Sequence, residues 1–287
     1  MYPEIFRIGD FVITSFGLMM FLSFLTGAWI LGLQLQRYGM PKELAWDVLA
    51  WVAVGGIVGA KLYYLALHPE ELRADFLGAL FSRGGLVWYG GLIGGVTAYY
   101  IQVRNRKLPV ATMYDATAPA LALAYAVGRM GCFLVGDDYG RYTDGPLGIV
   151  FPGGGTPPAT AGYLRSLGDT NIPAGIPDGA IVPVHPTQLY EVGLGTIMFV
   201  ILWKLGARRG LRTGQLFTLF LGLYGIERFF IEFVRAKSDR FVLGLSTSQI
   251  ASLVLIVLAA FLWQRRAKAP HVPLISSVAA PQRAPAR

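Results

Sequence analysis

Three stretches of the chain, residues 11–36, 84–103 and 241–264, contain no charged residue. A helix that crosses a bilayer needs about 20 mostly apolar residues, so each predicts a spanning helix. Four more stretches have the same apolar character but hold interior charges. Residues 48–67 contain Lys61, 116–136 contain Arg129, 187–203 contain Glu191, and 213–233 contain Glu227, Arg228 and Glu232. The pattern predicts an all-α membrane protein of seven transmembrane helices. Met1 to Asp10 lacks a basic n-region, and the apolar run after it is too long for the core of a cleaved signal, so the first span is expected to be retained.

Composition agrees. Of 287 residues, 54% are hydrophobic and 15% charged, against about 25% charged in average soluble domains. The net charge of +8 is spread in short basic clusters between apolar runs, which reads as membrane topology and not as a nucleic-acid surface. With seven spans, the side holding the C-terminus carries 14 Lys and Arg and the other side 8. The positive-inside rule then puts the C-terminus in the cytoplasm and the N-terminus outside. The connection 137–186 holds 18 Gly or Pro in 50 residues, and five acids against two arginines. It predicts a small irregular outer head between helices four and five. Residues 1–268 thus form one polytopic domain, and the Pro/Ala-rich tail 269–287 is expected to be disordered and cytoplasmic. Cys132 is the single cysteine, and the three histidines (68, 185, 271) share no ligand spacing. Neither a disulfide nor a metal site is expected.

The charges inside apolar runs carry the chemistry. Arginine at a helix centre costs about 2.5–3.5 kcal/mol on insertion scales, and intramembrane charges are functional by default. Arg129 follows thirteen uncharged residues in GRMGCFLVGDDYG, and Tyr125, Arg129 and Cys132 share one helix face. The competing reading is a purely structural pairing with Asp115, Glu191 or Glu232. Arg228 lies in YGIERFFIEFVR, with Tyr224 and Glu232 on its face. An internal Arg228–Glu232 bridge has base before acid, the weaker order, so each charge is expected to have a partner elsewhere. Two arginines meeting at the outer face suit a phosphate, which guanidinium forks bind bidentately. HPTQLYE (185–191) opens helix five; His185, Gln188, Tyr190 and Glu191 form either a polar site wall, with His185 as a base, or a helix start with interfacial anchoring. WYGGLIGG (88–95) and Gly55/Gly59 read as helix packing, with Tyr89 facing a cavity as the alternative. Lys61 beside Tyr63 and Tyr64 is expected to snorkel outward. Buried cysteines are usually inert, although Arg129 one turn away favours a thiolate at Cys132.

SFGLMM (15–20), WYGGLIGG, GRMGCFLVGDDYGR (128–141), HPTQLYE and YGIERFFIEFVR (224–235), in that order, resemble the bacterial prolipoprotein diacylglyceryl transferases over about residues 10–265. The resemblance implies transfer of the diacylglyceryl group of phosphatidylglycerol to the lipobox cysteine of a prolipoprotein signal peptide, at the inner membrane and without a cofactor. It makes Arg129 and Arg228 the essential arginines and matches Asp137, Gly140, Tyr224 and Glu232 to further site positions. Tyr89 stands where the family usually has the histidine proposed as thiol base, and tyrosine, with a reference pKa of about 10, is a poor base at neutral pH. Cys132 and Val135 replace two asparagines, Asp137 a glutamate and Phe16 a tyrosine. A divergent paralogue with another donor or acceptor, and a non-enzymatic lipid or solute transporter, are the alternatives.

Overall fold

A computed structural model describes residues 4–9, 11–82, 85–151, 157–207, 211–238, 240–242 and 244–271. Its elements in order are β1 (Glu4–Ile8), β2 (Phe11–Thr14), α1 (Ser15–Arg37), α2 (Leu44–Leu67), α3 (Pro69–Ala74), α4 (Phe76–Phe81), α5 (Trp88–Asn105), α6 (Val110–Val135), α7 (Ala161–Ser166), α8 (Thr187–Gly206), α9 (Gln215–Ile231), β3 (Arg240–Val242), β4 (Leu245–Ser246) and α10 (Thr247–Arg266). The protein is a mostly helical membrane protein. Among the described residues, five helices, α1, α2, α6, α8 and α10, are long and apolar enough to cross a bilayer. Two more lie where the sequence predicts spans. α9 has 17 residues, and α5 has 18 but its last turn carries Gln102, Arg104 and Asn105.

The ends of the helices follow local chemistry. The first apolar run does not start as helix: 11–14 pair antiparallel with β1, and Thr14 then caps α1 by accepting from Gly17 N at 3.1 Å. The last run likewise opens as the β3–β4 pair, and Ser246 and Gln249 form a capping box at the start of α10. α6 stops at Gly136, whose left-handed φ of 73° few residues other than glycine adopt. α9 has no cap of its own. Asp115, buried in α6, supplies one by accepting from Gly214 N at 2.5 Å and Phe217 N at 2.9 Å.

α6 is central, packed on α1 and α8, with α9 between α8 and α10. α2 and α5 pair tightly: a Cβ on Gly59 would lie 2.8 Å from Gly94 Cα, so glycine there is a packing requirement, as the sequence predicts. One core joins Leu35, Val103 and Met113 from α1, α5 and α6; another joins Leu202, Leu216 and Phe220 from α8 and α9. Outward faces are apolar as well: Ile57 on α2, Ile93 on α5 and Val257 on α10 are well exposed. Such a surface suits hydrocarbon, not water. Lys61 does not snorkel. It is buried, and its Nζ donates to the Ser82 hydroxyl at 2.6 Å and carbonyl at 3.2 Å inside the protein.

Between α6 and α8 the Gly/Pro-rich segment packs a core of its own around Tyr139, Phe151, Leu164, Val182 and Val184, with short bridges in place of a sheet. The turn cluster at 153–158 falls mostly outside the described residues, as does the tail from 272 onward.

Candidate active site

α6, α8 and α9 each turn one polar stripe toward the others. α6 contributes Tyr125, Arg129 and Cys132, one turn apart. α8 contributes Gln188 and Glu191. α9 contributes Tyr224, Glu227 and Arg228, and the chain just past its end adds Glu232 and Arg235. The stripes converge on Glu191, which is fully buried. Its Oε2 accepts from Arg129 through Nε at 2.5 Å and through Nη2. Its Oε1 accepts from Arg228 Nη1 and from the Tyr125 hydroxyl at 2.9 Å. One carboxylate therefore joins two arginines from different helices. The Arg228–Glu232 contact also exists, but at 3.4 Å it is the looser of the two.

The chain closes over Arg129 from one side. After the left-handed Gly136, Asp138 also takes a positive φ of 57°, which turns it back toward the helix that has just ended. Its Oδ2 accepts from Arg129 Nη1 at 2.9 Å, and its Oδ1 from Arg235 Nη2. Burial opposes charge on Asp138, but Arg235 and Arg129 outweigh it and hold the carboxyl below its usual range. Its side chain is 40% exposed, against 12% for Arg129 and 15% for Arg228. The cluster is reached past Asp138.

Two side chains of α8 brace this turn. Gln188 Nε2 donates to the Asp137 carbonyl at 2.5 Å, and Thr187 Oγ1 to the Asp138 carbonyl at 2.7 Å. Gly140 N donates to the His185 carbonyl at 2.8 Å. A Cβ on Gly140 would come within 2.5 Å of the Val234 carbonyl and 2.7 Å of His185 Cβ, so the position admits only glycine. Arg129 Nη1 lies 3.4 Å from Cys132 Sγ. Cys132, Asp137 and Asp138 bring one ligand atom each within 4.8 Å of the others. Both oxygens of Asp138 already serve arginines, so this corner is charge-paired and a poor cation site.

A family model described as prolipoprotein diacylglyceryl transferase matches residues 3–265. Relatives curated as phosphatidylglycerol–prolipoprotein diacylglyceryl transferase include those of Pseudoalteromonas atlantica, 32% identical over 92% of this chain and 89% of the relative, and Geobacter sulfurreducens, 33% identical over 81% and 82%. A third, from Clostridium tetani, is 29% identical over 92% and 97%. The chain belongs to the prolipoprotein diacylglyceryl transferase family.

Several residues that the sequence singles out in this family member lie together: Arg129, Cys132, Asp137, Gln188, Arg228 and Glu232, with Tyr224 edge-on to Tyr125 at 5.5 Å. His185 and Tyr190 stand at the start of α8, joined through His185 Nδ1 and the Tyr190 hydroxyl at 3.1 Å. Burial pushes the His185 imidazole below its usual range, with Asp169 opposing. Tyr89 stands elsewhere. It is exposed on α5, edge-on to Trp88, and has no hydrogen bond among the described residues. Glu191 is expected from the sequence both in the polar stretch of HPTQLYE and as one of three acids able to pair with Arg129; Glu227, Asp138 and Arg235 are not expected in the site. For Glu191 and Glu227 a signal was present, an acid inside an apolar run. Beside the cluster, Tyr190, Gly193, Leu194, Ile197, Phe230 and Ile231 line an apolar groove of about 430 Å³ between α8 and α9.

Proposed function

We propose that this chain transfers the diacylglyceryl group of phosphatidylglycerol to the lipobox cysteine thiol of a prolipoprotein. The cysteine sulfur attacks the glyceryl carbon that carries the phosphate. A carbon–sulfur bond forms, the carbon–oxygen bond breaks, and glycerol phosphate leaves with the electron pair. The thiol proton passes to a base. The observation that carries this reading is the Arg129–Glu191–Arg228 bridge. It holds two guanidinium groups rigidly in a desolvated site, where charge develops on the departing phosphate. The donors held at the longest distances, Arg129 Nη1 toward Asp138 and Arg228 Nη2 toward Glu232, are those a phosphate would take. The groove between α8 and α9 has the apolar lining and the position to receive an acyl chain.

On this reading α5 and α9 also cross the membrane, giving seven spans. The N-terminus is outside and the C-terminus cytoplasmic, and the segment between α6 and α8 is a head at the outer face of a bacterial inner membrane. The basic excess on the C-terminal side supports that orientation.

The test is direct. Purified protein, phosphatidylglycerol and a lipobox peptide should give a thioether-linked diacylglyceryl peptide by mass spectrometry, with glycerol phosphate released in equal amount. No product, where a histidine-bearing family member works in parallel, would overturn the assignment.

A further inference from the structure

Glu227 is buried in α9 and has no place in the transfer just described. Its Oε1 lies 3.1 Å from the Tyr125 hydroxyl, and its Oε2, also buried, has no hydrogen-bond donor among the described residues. The Tyr125 hydroxyl also lies 2.9 Å from Glu191 Oε1. A phenol has one proton and cannot fully satisfy two carboxylates. Glu191 has no room for a proton of its own, because both of its oxygens accept from guanidinium groups. Glu232 also has a buried oxygen without a donor, but its Oε2 meets Arg228 and Arg235, whereas Glu227 forms no ion pair among the described residues; ionised, it would bury an uncompensated charge, which is far costlier than burying a neutral carbonyl. Proton counting therefore leaves one arrangement. Glu227 keeps its proton and donates it to the Tyr125 oxygen, and Tyr125 donates to Glu191.

We propose that Glu227 is held as a neutral carboxylic acid, so that the arginine centre takes on no further negative charge and stays open to an anionic lipid headgroup. The headgroup part rests on the transferase reading above; the protonation does not. With Glu227 neutral, Arg129, Arg228 and Arg235 form their ion pairs with Glu191, Glu232 and Asp138, and Asp137 lies beside Cys132 outside those pairs. An ionised Glu227 would add a further carboxylate against a phosphate. The groups that face Glu227 are Tyr125 and Arg129 from α6, Glu191 from α8, and Tyr224 and Arg228 from its own helix. α10, packed on α9 at Gly225 through Ile256 and Ser252, carries no ionisable residue before Arg265. Glu227 is thus a positioning residue that acts through Tyr125 on the charge of the site.

Infrared spectroscopy of the full-length protein in detergent reads the protonation without substrate. The wild type should show the carbonyl stretch of a protonated carboxylic acid, shifted in deuterated water and lost in Glu227→Gln. A wild type without the band, or a band that survives in Glu227→Gln, overturns the proposal whether or not the protein is a transferase. Binding of phosphatidylglycerol vesicles tests the headgroup part. Wild-type binding should weaken as pH rises and Glu227 loses its proton. Glu227→Gln, which keeps the donor to Tyr125 but cannot ionise, should hold its affinity through the same range. Parallel loss in both proteins would overturn the headgroup part. If Glu227→Gln fails to fold, Tyr125→Phe, which removes the acceptor for that proton, should shift the wild-type band; an unmoved band would overturn the arrangement.

Discussion

Asp138 and Arg129 are nine residues apart, on opposite sides of a helix end, and yet their side chains meet at 2.9 Å. The left-handed residues Gly136 and Asp138 make this possible. Asp138 therefore covers an arginine donor that the proposed reaction uses. Asp138→Asn should weaken that cover. We expect tighter binding of phosphatidylglycerol vesicles, and a stability loss of about 1 kcal/mol, because the carboxylate is partly solvated. Unfolding followed against pH adds a second readout. Because the arginines hold the Asp138 carboxyl below its usual range, its stabilising contribution is complete above the unfolded value of about 4 and is lost as pH falls through the lower folded value. The mutant should lack that part of the acid limb.

Glu191→Gln removes one charge from between two buried arginines. Breaking a buried ionic network from one side costs about 3–5 kcal/mol. The thermal midpoint in detergent should fall further for this variant than for Glu232→Gln, whose carboxylate holds Arg228 only at 3.4 Å. Equal shifts would show that Glu191 is not the hub.

Arg129→Lys and Arg228→Lys keep the charge and lose the planar fork. Loss of a donor aimed at developing negative charge lowers kcat about 10²-fold or more. Steady-state rates with phosphatidylglycerol in mixed micelles check this, and near-normal turnover in either variant would remove its arginine from the phosphate.

Tyr89→Phe should retain most activity, since the hydroxyl is exposed and has no hydrogen bond among the described residues. A large drop in kcat would mean that α5 brings Tyr89 to the substrate only when substrate is bound.

Gly140→Ala tests the backbone crossing beneath the site. The added methyl meets the Val234 carbonyl and His185 Cβ, so about 1–3 kcal/mol of strain is expected, with loss of transfer activity. Wild-type stability in this variant would mean that the crossing yields easily.

The two arginines were legible in the sequence because a charge inside an apolar run stands out, and one-turn spacing placed Tyr125 and Cys132 beside Arg129. Their partner was not legible. Asp115, Glu191 and Glu232 are equally acidic residues in apolar runs, and only tertiary packing assigns Glu191 to the arginines and Asp115 to the start of α9. Asp138 was hidden for another reason: helical periodicity ends at Gly136, and the contact depends on a left-handed turn beyond it. The ends of the first and last spans were misread because apolar residues at 11–14 and after 240 also satisfy a short β-pair. Lys61 was misread because the serine carbonyl and hydroxyl it donates to come from a different segment.

The Asp115 cap on α9 also fixes a height. Arg129 is fourteen residues beyond Asp115 on α6, and Arg228 is fourteen residues beyond Gly214, where α9 begins. At 1.5 Å per residue both arginines stand about 21 Å above the same hydrogen bond. Two arms of equal length rise from one pivot, and their guanidinium tips come out level. Inserting a single residue in either arm would raise one tip by about 1.5 Å and swing it about 100° around its axis. The pivot at the far end of the bundle is thus the ruler by which the two charges are set opposite each other.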